Sequence, residues 1–175
     1  VLCEYGALDA DPSLGHRFRH VFALDPPAVL ETLEALRLSG GEDPAFLHLG
    51  FGAAEVEFAA RVLDHEHALR PHLEAVYRAL AALGANGAEV SRELLEGEGR
   101  HPRSAVVAGR CLRVLDELSL ASFDRASGTL RCRITNGGRA DLGRSQVFRE
   151  CASAAEEGHR FLETLTPATP KARAA

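Results

Sequence analysis

The amino-acid sequence predicts an α/β plus α+β fold: a small three-stranded parallel α/β layer of the Rossmann type, then a winged helix-turn-helix-like unit and a C-terminal helix. Short apolar runs alternate with a helical segment in the first fifty residues, and helical patterns after residue 87 lead into a hairpin pattern. We therefore divide the chain into the α/β layer (1–62), a linking helix with the winged-helix-like domain (63–139), a C-terminal helix (140–166) and a disordered tail (167–175).

The α/β layer is predicted from three apolar runs. "VLCEYG", "HVFALDPP" and "AFLHLGFG" are strand candidates, and the segment between the last two places Val29, Leu30, Leu33 and Leu36 at a helical period. Strands that alternate with helices pair in parallel through right-handed crossovers. Because three strands are too few to stand alone and the first residue is Val1, we expect the chain to be part of a larger protein.

A long helical stretch, residues 53–83, links the two halves of the chain. Pro71 interrupts it, and the sequence leaves open whether this proline kinks the helix or starts a new one at the first helical position. Beyond the proline, the spacing predicts one apolar face, made of Leu73, Val76, Tyr77, Leu80 and Leu83.

The winged-helix-like unit is predicted from the order of its parts. "GAEVSRELLEGEG" is a short helix, and "HPRSAVVAGRCLRVLDELSL" is a longer one whose core positions are Val107, Cys111, Val114 and Leu118. "SLASFDRASGTLRCRI" alternates as a hairpin does around "RASG". Three helices followed by a two-stranded hairpin is the order of a winged helix-turn-helix.

The C-terminal helix is predicted from caps and periodicity. Asp141 and Ser145 are candidate N-terminal caps. The apolar stripe of this helix consists of Phe148, Cys151, Ala155, Leu162 and Leu165.

Composition indicates a cytoplasmic protein. No apolar run approaches the ~20 residues of a membrane span, and no signal peptide is recognisable, so no membrane partner is expected. The 4 cysteines form no C-x-x-C pair, which favours reduced and partly buried thiols.

Positive charge is concentrated in one part of a chain whose net charge is −5. Residues 100–139 hold 8 arginines and 3 acidic residues, whereas residues 1–99 hold 7 arginines and 17 acidic residues. A winged helix that binds nucleic acid needs cations on its third helix and hairpin. The candidate nucleic-acid-binding residues are therefore Arg103, Arg110, Arg113, Arg125, Arg131 and Arg133.

These arginines have a second interpretation. Small winged helices often contact proteins, and their arginines are then merely solvated. Arginine contacts to phosphates would position a strand, but no Asn or Gln on this face is available to read a base. The sequence therefore leaves DNA and protein as alternative partners of the same face.

The run Asp64-His65-Glu66-His67, with His72 beyond it, has the composition of a metal site. A zinc or manganese site needs three or four ligands that converge from fixed elements. Pro71 disturbs the helix between His65 and His72, and the other histidines have no complementary spacing. We therefore predict a solvated polar face, with no metal ligands and no catalytic residues in this chain.

Several segments, in order, resemble the C-terminal region of RecJ-type single-stranded-DNA-specific exonucleases of the DHH family. They are "HVFALDPPA" with "FLHLGFG", then "LRPHLEAVYRAL", then "RCLRVLDELSL" before the hairpin, and finally "ADLGRSQVFRECASAAEEGHRFLETL". Together they cover most of residues 20–165. Each is a loose pattern, so the resemblance rests on their order.

The resemblance implies an accessory domain of a 5′→3′ exonuclease that acts in DNA repair and recombination. In this family two ions, Mn²⁺ or Mg²⁺, bind to Asp and His motifs and activate water for phosphodiester hydrolysis. Those motifs are absent here: "LDHEH" contains Asp-His but not Asp-His-His. The ions would belong to an N-terminal catalytic core of the same polypeptide, and the implied partners are single-stranded DNA and single-stranded-DNA-binding protein.

Two other interpretations stay open. The chain could be a winged-helix regulatory or protein-interaction module without any connection to a nuclease. Less favoured is a metal-dependent enzyme that uses the histidine run of residues 64–72.

Overall fold

A computed structural model of the chain describes residues 2–38, 45–83, 88–98, 101–126, 128–135 and 140–165. Contacts divide the chain into unit 1, Val1–Leu63 with Glu156–Ala175, and unit 2, Asp64–Ala155. The predicted tail 167–175 lies outside the described residues.

Unit 1 combines helices with a small parallel sheet. Its elements are α1 (Tyr5–Ala10), a 3₁₀ helix (Pro12–Arg17), β1 (His20–Ala23), α2 (Leu30–Arg37), β2 (Phe46–Leu49) and most of α3 (Ala53–His67). Strands β1 and β2 pair in parallel, with His20 opposite Phe46 and Phe22 opposite His48. The helix between them is the crossover that a parallel pair requires.

The sequence predicts a third parallel strand at "VLCEYG", and the structure does not confirm it. Residues Tyr5–Ala10 form α1 instead, and the described part of this sheet contains two strands. A short apolar run does not distinguish a strand from a helical turn by periodicity. Here the run continues into Ala7, Leu8 and Ala10, which favour a helix, and Leu8 is buried.

The core of unit 1 consists of two small clusters. Leu8, Ala23 and Leu36 form the first, on the face of the sheet that α1 and α2 cover. Val56, Leu63 and Leu162 form the second. Glycine allows close packing in the second cluster, because a Cβ on Gly158 would come within 2.6 Å of Leu63 Cδ2.

Unit 2 contains helices and an antiparallel sheet. Its elements are the end of α3, then α4 (Leu69–Ala82), β3 (Ala88–Glu89), α5 (Arg92–Glu96), α6 (Ala105–Glu117), β4 (Ala121–Ala126), β5 (Thr129–Ile134), a 3₁₀ turn (Leu142–Arg144) and the first half of α7 (Gln146–Leu165). The three helices and the hairpin appear in the predicted order. The sheet order is β3-β5-β4, and all pairs are antiparallel.

The helix ends of unit 2 follow from local chemistry. The long predicted helix breaks at Ala68, so α4 is a new helix and Pro71 lies in its first turn. A proline there loses no hydrogen bond, because the first amides of a helix have no partner within it. Ser91 and Ser104 cap α5 and α6, and the predicted caps Asp141 and Ser145 accept hydrogen bonds from Gly143 N and Phe148 N.

One continuous core fills unit 2. Val107, Cys111 and Val114 of α6 are fully buried, as their spacing predicts. They pack with residues of α4, α7 and the sheet, among them Leu69, Leu73, Val76, Leu80, Cys132 and Cys151. Leu83, the residue that follows α4 and ends the predicted apolar face, is 39% exposed. None of the helices within the described ranges is long and apolar enough to cross a membrane.

Candidate nucleic-acid interface

The six candidate arginines lie on or just before α6 and on the hairpin β4–β5 of unit 2, but they do not form one continuous stripe. Helix α6 packs one side into the core, which leaves Arg113 exposed and Arg110 partly buried. Arg125, Arg131 and Arg133 are exposed on the hairpin, and Arg103 is partly buried before the helix. Their hydrogen bonds and strand register separate them further.

The guanidinium of Arg103 is hydrogen-bonded to the backbone of α5. Its Nε donates to the carbonyl of Leu95 over 2.7 Å, and its Nη2 donates to the carbonyl of Leu94 over 3.3 Å. These carbonyls belong to the last turn of a helix, where no amide follows to pair with them. Gly97, which ends α5, has a φ of 71°, a conformation that favours glycine, and a Cβ there would also come within 2.5 Å of Nη2 of Arg103. Arg103 is therefore a structural residue.

Arg110 makes an equivalent bond to the end of α3. Its Nη1 donates to the carbonyl of Glu66 over 3.0 Å. A cation at a helix C-terminus is stabilised by the exposed carbonyls. The pKa of the neighbouring His67 is lowered, first by burial and second by the charge of Arg110. Because its guanidinium is occupied by this contact, Arg110 is less accessible to a ligand than its position on α6 suggests.

The hairpin register places its arginines on opposite faces of the sheet. Arg131 faces Asp124 on β4 and Glu89 on β3, and Arg133 faces Ser122. Side chains alternate along a strand, so Arg125, which pairs with Leu130, lies on the other face. Two acidic cross-strand neighbours offset the charge of Arg131, which leaves Arg133 as the cation of that face without an acidic neighbour opposite it.

Helix α6 also carries acidic side chains next to Arg113. Glu117 lies one turn after Arg113, and its pKa is lowered mainly by a hydrogen bond from the Ser145 side chain and least by the charge of Arg113. Asp116 is exposed beside it, and Val106 is 61% exposed near the start of the helix. The exposed side of α6 is thus mixed in charge and partly apolar, which suits a protein contact as well as a phosphate contact.

The histidine run of residues 64–72 lies at the junction of α3 and α4. His65, His67 and His72 are partly buried, where the sequence predicts a solvated face. A ring nitrogen of His72 is 2.9 Å from the carbonyl oxygen of His65, and burial is the main cause of its lowered pKa. Within the part of the chain that the structure describes, no three His, Cys, Asp or Glu residues are placed to hold a metal ion together.

Sequence reasoning missed a group of rings in unit 1, which we name the ring stack: His20 and Phe22 of β1 with Phe46 and His48 of β2. The rings form a row in the order Phe46, His20, His48, Phe22, with centroids 5.2, 5.3 and 4.4 Å apart and interplanar angles of 13–23°. His20 Nδ1 and His48 Nε2 are 3.0 Å apart, so one imidazole donates a hydrogen bond to the other.

A sequence signal for the ring stack exists. Rings occupy alternate positions in "HVF" and in "FLH", so each pair projects from one face of its strand. The parallel register, which places His20 opposite Phe46 and Phe22 opposite His48, brings the two pairs together. That register depends on tertiary structure, and the alternation alone does not predict it.

Comparisons with known proteins do not identify the chain. No protein-family model matches it, and neither a curated protein nor a solved structure matches it significantly.

Proposed function

We propose that the chain is a C-terminal accessory domain of a RecJ-like single-stranded-DNA-specific 5′→3′ exonuclease in the cytoplasm, where it contributes DNA or partner binding to repair and recombination. The observation that carries the proposal is the order of elements in unit 2. The chain segments that resemble this family there form α4, α6 before the hairpin, and α7.

We further propose that unit 2 is a winged helix. Helix α4, strand β3, helices α5 and α6 and the hairpin follow one another, and the sheet order β3-β5-β4 puts the last strand in the middle. In a winged helix-turn-helix, α6 is the element that meets a ligand and the hairpin is the wing beside it. This arrangement supports a binding role rather than a catalytic one.

The hydrogen bonds of the arginines reduce the number of candidate residues for the proposed interface. Arg103 and Arg110 hold the backbone of α5 and α3, so they support the surface from within. Arg113 on α6 and Arg133 on β5 are exposed and are the best candidates for phosphate or acidic side chains. Arg125 and Arg131 are secondary, because one lies on the opposite sheet face and the other pairs with acidic neighbours. Phosphodiester hydrolysis and its Mn²⁺ or Mg²⁺ ions would belong to the N-terminal catalytic core.

The test is charge reversal at the two exposed positions. The double variant Arg113→Glu, Arg133→Glu should bind a labelled single-stranded oligonucleotide about tenfold more weakly at low salt. The slope of its salt dependence should also fall by roughly 0.7 for each phosphate that the protein no longer neutralises. Fluorescence anisotropy over a salt series measures both. Arg144→Glu, a change of equal charge at an exposed position on the 3₁₀ turn, is the control for each single reversal.

Two results would contradict the proposal. Equal effects of Arg144→Glu and of the single reversal Arg113→Glu would show that α6 is not the interface. Coding sequence upstream of Val1 without an Asp-His-His motif would remove the connection to the nuclease.

The alternative is a winged-helix regulatory or protein-interaction module unrelated to a nuclease. Exposed Val106 and the acidic side chains beside Arg113 favour it. Val106→Asp would then abolish capture of the protein partner and leave oligonucleotide binding unchanged. For the nuclease proposal, single-stranded-DNA-binding protein is the first partner to test.

A further inference from the structure

The two ends of the ring stack are open to solvent. Phe22 is 63% exposed and Phe46 is 59% exposed. Both are phenyl rings, and the two hydrogen-bonded imidazoles lie between them in the row. The row therefore ends on both sides in an apolar ring that is largely accessible to water.

Only one face of the parallel sheet is covered within the described part of unit 1. Val21, Ala23 and Leu47 point to the face that packs against α1 and α2. The ring stack lies on the other face. Parallel sheets are almost always covered on both faces, because their strands are apolar on both sides. An open face with four aligned rings is thus a surface for a ligand that can stack on rings.

The charge around this face suits an anion. Residues 15–24 and 45–52, which contain β1 and β2, carry two arginines, three histidines and no Asp or Glu, in a chain whose net charge is −5. Residues 16–20, "HRFRH", are all exposed. Asp11 offsets part of this charge: its pKa is lowered mainly by a hydrogen bond from Ser13 and to a lesser extent by Arg17. Arg19 precedes His20 in an extended backbone and so projects to the opposite face, whereas Arg17 lines the same cavity as His20 and Phe22.

Space for a ligand is present beside the rings. A cavity of about 440 Å³ is lined by His20 and Phe22 of the ring stack and by Phe18, and also by Leu8, Val21 and Leu36 of the cluster on the covered face, so it lies along β1 and is shared by the two faces. Its charged lining residues are Arg17 and Glu4. This volume is within the roughly 300–1,000 Å³ typical of ligand sites.

We propose that the ring stack is a platform for single-stranded nucleic acid, separate from the arginine surface of unit 2. Bases stack on the exposed rings of Phe22 and Phe46, and a phosphate of the strand faces Arg17, which lines the same cavity as His20 and Phe22. Proteins that bind single strands without sequence preference combine aromatic rings with nearby cations in this way. The histidine pair fixes the planes of the inner rings, so the platform is ordered before the strand arrives. This inference rests on the proposed function in one respect: both assume that the protein binds single-stranded nucleic acid.

The test compares a short labelled oligothymidylate with an abasic oligonucleotide of equal length, by fluorescence anisotropy with the whole chain. Phe22→Leu and Phe46→Leu should each weaken binding of oligothymidylate by about tenfold, since each removes the stacking of one base, and should leave abasic binding unchanged. Phe58→Leu is the matched control, because Phe58 is also 59% exposed but lies on α3. All three positions are exposed, and circular dichroism checks that each variant is folded.

The outcomes separate the two surfaces. Loss of the preference for oligothymidylate in the Phe22 and Phe46 variants, but not in Phe58→Leu, supports the platform. Equal binding by all three variants overturns it, and so does an equal weakening with the abasic strand. Reversal of Arg113 and Arg133 acts through phosphates and should weaken both oligonucleotides alike. The experiment can therefore refute binding at Arg113 and Arg133 and still support binding at the ring stack. It can also give the opposite result.

Discussion

Unit 1 and unit 2 bury their apolar residues differently. In unit 2 one cluster of 14 buried residues joins helices and sheet, whereas the two clusters of unit 1 contain three buried residues each within the described ranges. Unit 1 also exposes large apolar side chains on and beside its strands, among them Phe22, Leu24, Phe46 and Leu49. Stability in this chain is thus concentrated in unit 2, and unit 1 has more surface that a ligand or partner could cover.

The difference extends to the cations. Arg103 and Arg110 of unit 2 reach helix carbonyls, so part of its positive charge serves the fold. Exposed Arg17 of unit 1 lines the same cavity as His20 and Phe22 of the ring stack. A count of arginines along the sequence favours residues 100–139, but the exposed cations that could meet a ligand are divided between the units.

The largest expected effect is in the core of unit 2. Leu80 is 1% exposed, and Leu80→Ala should cost about 2–5 kcal/mol, because it removes buried apolar packing and leaves a cavity. Thiol labelling measures the stability of unit 2 separately, because Cys111, Cys132 and Cys151 are all buried there and react only when the unit opens. Burial also raises the pKa of Cys111 to about 11, so its thiol reacts slowly in the folded protein. With Cys3→Ser as the background, the labelling rate reports the opening of unit 2.

Two controls make that measurement specific. Arg78→Ala, on the exposed side of the same helix, should change stability by no more than about 0.5 kcal/mol. Leu36→Ala, in the small cluster of unit 1, should cost near the lower end of the range, about 2 kcal/mol by hydrogen exchange of α2. A larger cost for Leu36→Ala than for Leu80→Ala would refute the contrast between the two cores.

An intermediate effect is expected where an arginine supports the fold. Arg103→Ala leaves the carbonyls of Leu94 and Leu95 without this partner and should destabilise unit 2 by about 1–3 kcal/mol. Arg113→Ala, on the exposed side of α6, should stay within about 0.5 kcal/mol. Urea unfolding of both variants measures the difference. If Arg103→Ala is as stable as Arg113→Ala, the hydrogen bonds of Arg103 to α5 do not stabilise the fold, and the structural role assigned to Arg103 is wrong.

Helix α6 and the arginines near it show which features of this protein the sequence predicts and which it does not. Periodicity identified the buried side of α6 through Val107, Cys111 and Val114, because a helix presents a regular face. Arg103 and Arg110 contact carbonyls 8 and 44 residues away in the chain, and no local pattern encodes such a contact.

Local patterns were also insufficient for the short elements. Strand β3 has two residues, too few for an alternation, and it exists because β5 offers a free edge. The ring stack similarly needs the register of β1 with β2, which is set by the packing of unit 1. Helix faces and hairpins were predictable, whereas strand partners and the roles of individual cations required the tertiary structure.

The smallest expected effect concerns the acid stability of unit 2. Ser145 Oγ donates to Glu117 Oε2 over 2.5 Å, and Val147 N donates to the same oxygen over 3.3 Å, so the carboxylate binds the first turn of α7. Its pKa is lowered from 4.5, first by the Ser145 hydrogen bond. A lowered pKa means that the stabilisation is complete above pH 4.5 and is lost as the pH falls through the folded value.

Glu117→Gln should therefore lower stability near neutral pH and flatten the acid limb of the stability curve. The cost should stay below about 1 kcal/mol, because the carboxylate is exposed and solvent screens it. Asp116→Asn removes the same charge in the same turn and is the control. Urea unfolding at a series of pH values from neutral to acid compares the three proteins. If the free energy of unfolding of the wild type falls with pH in parallel with that of Glu117→Gln, Glu117 binds α7 equally well when it is protonated. The contact would then stabilise unit 2 through packing and not through charge.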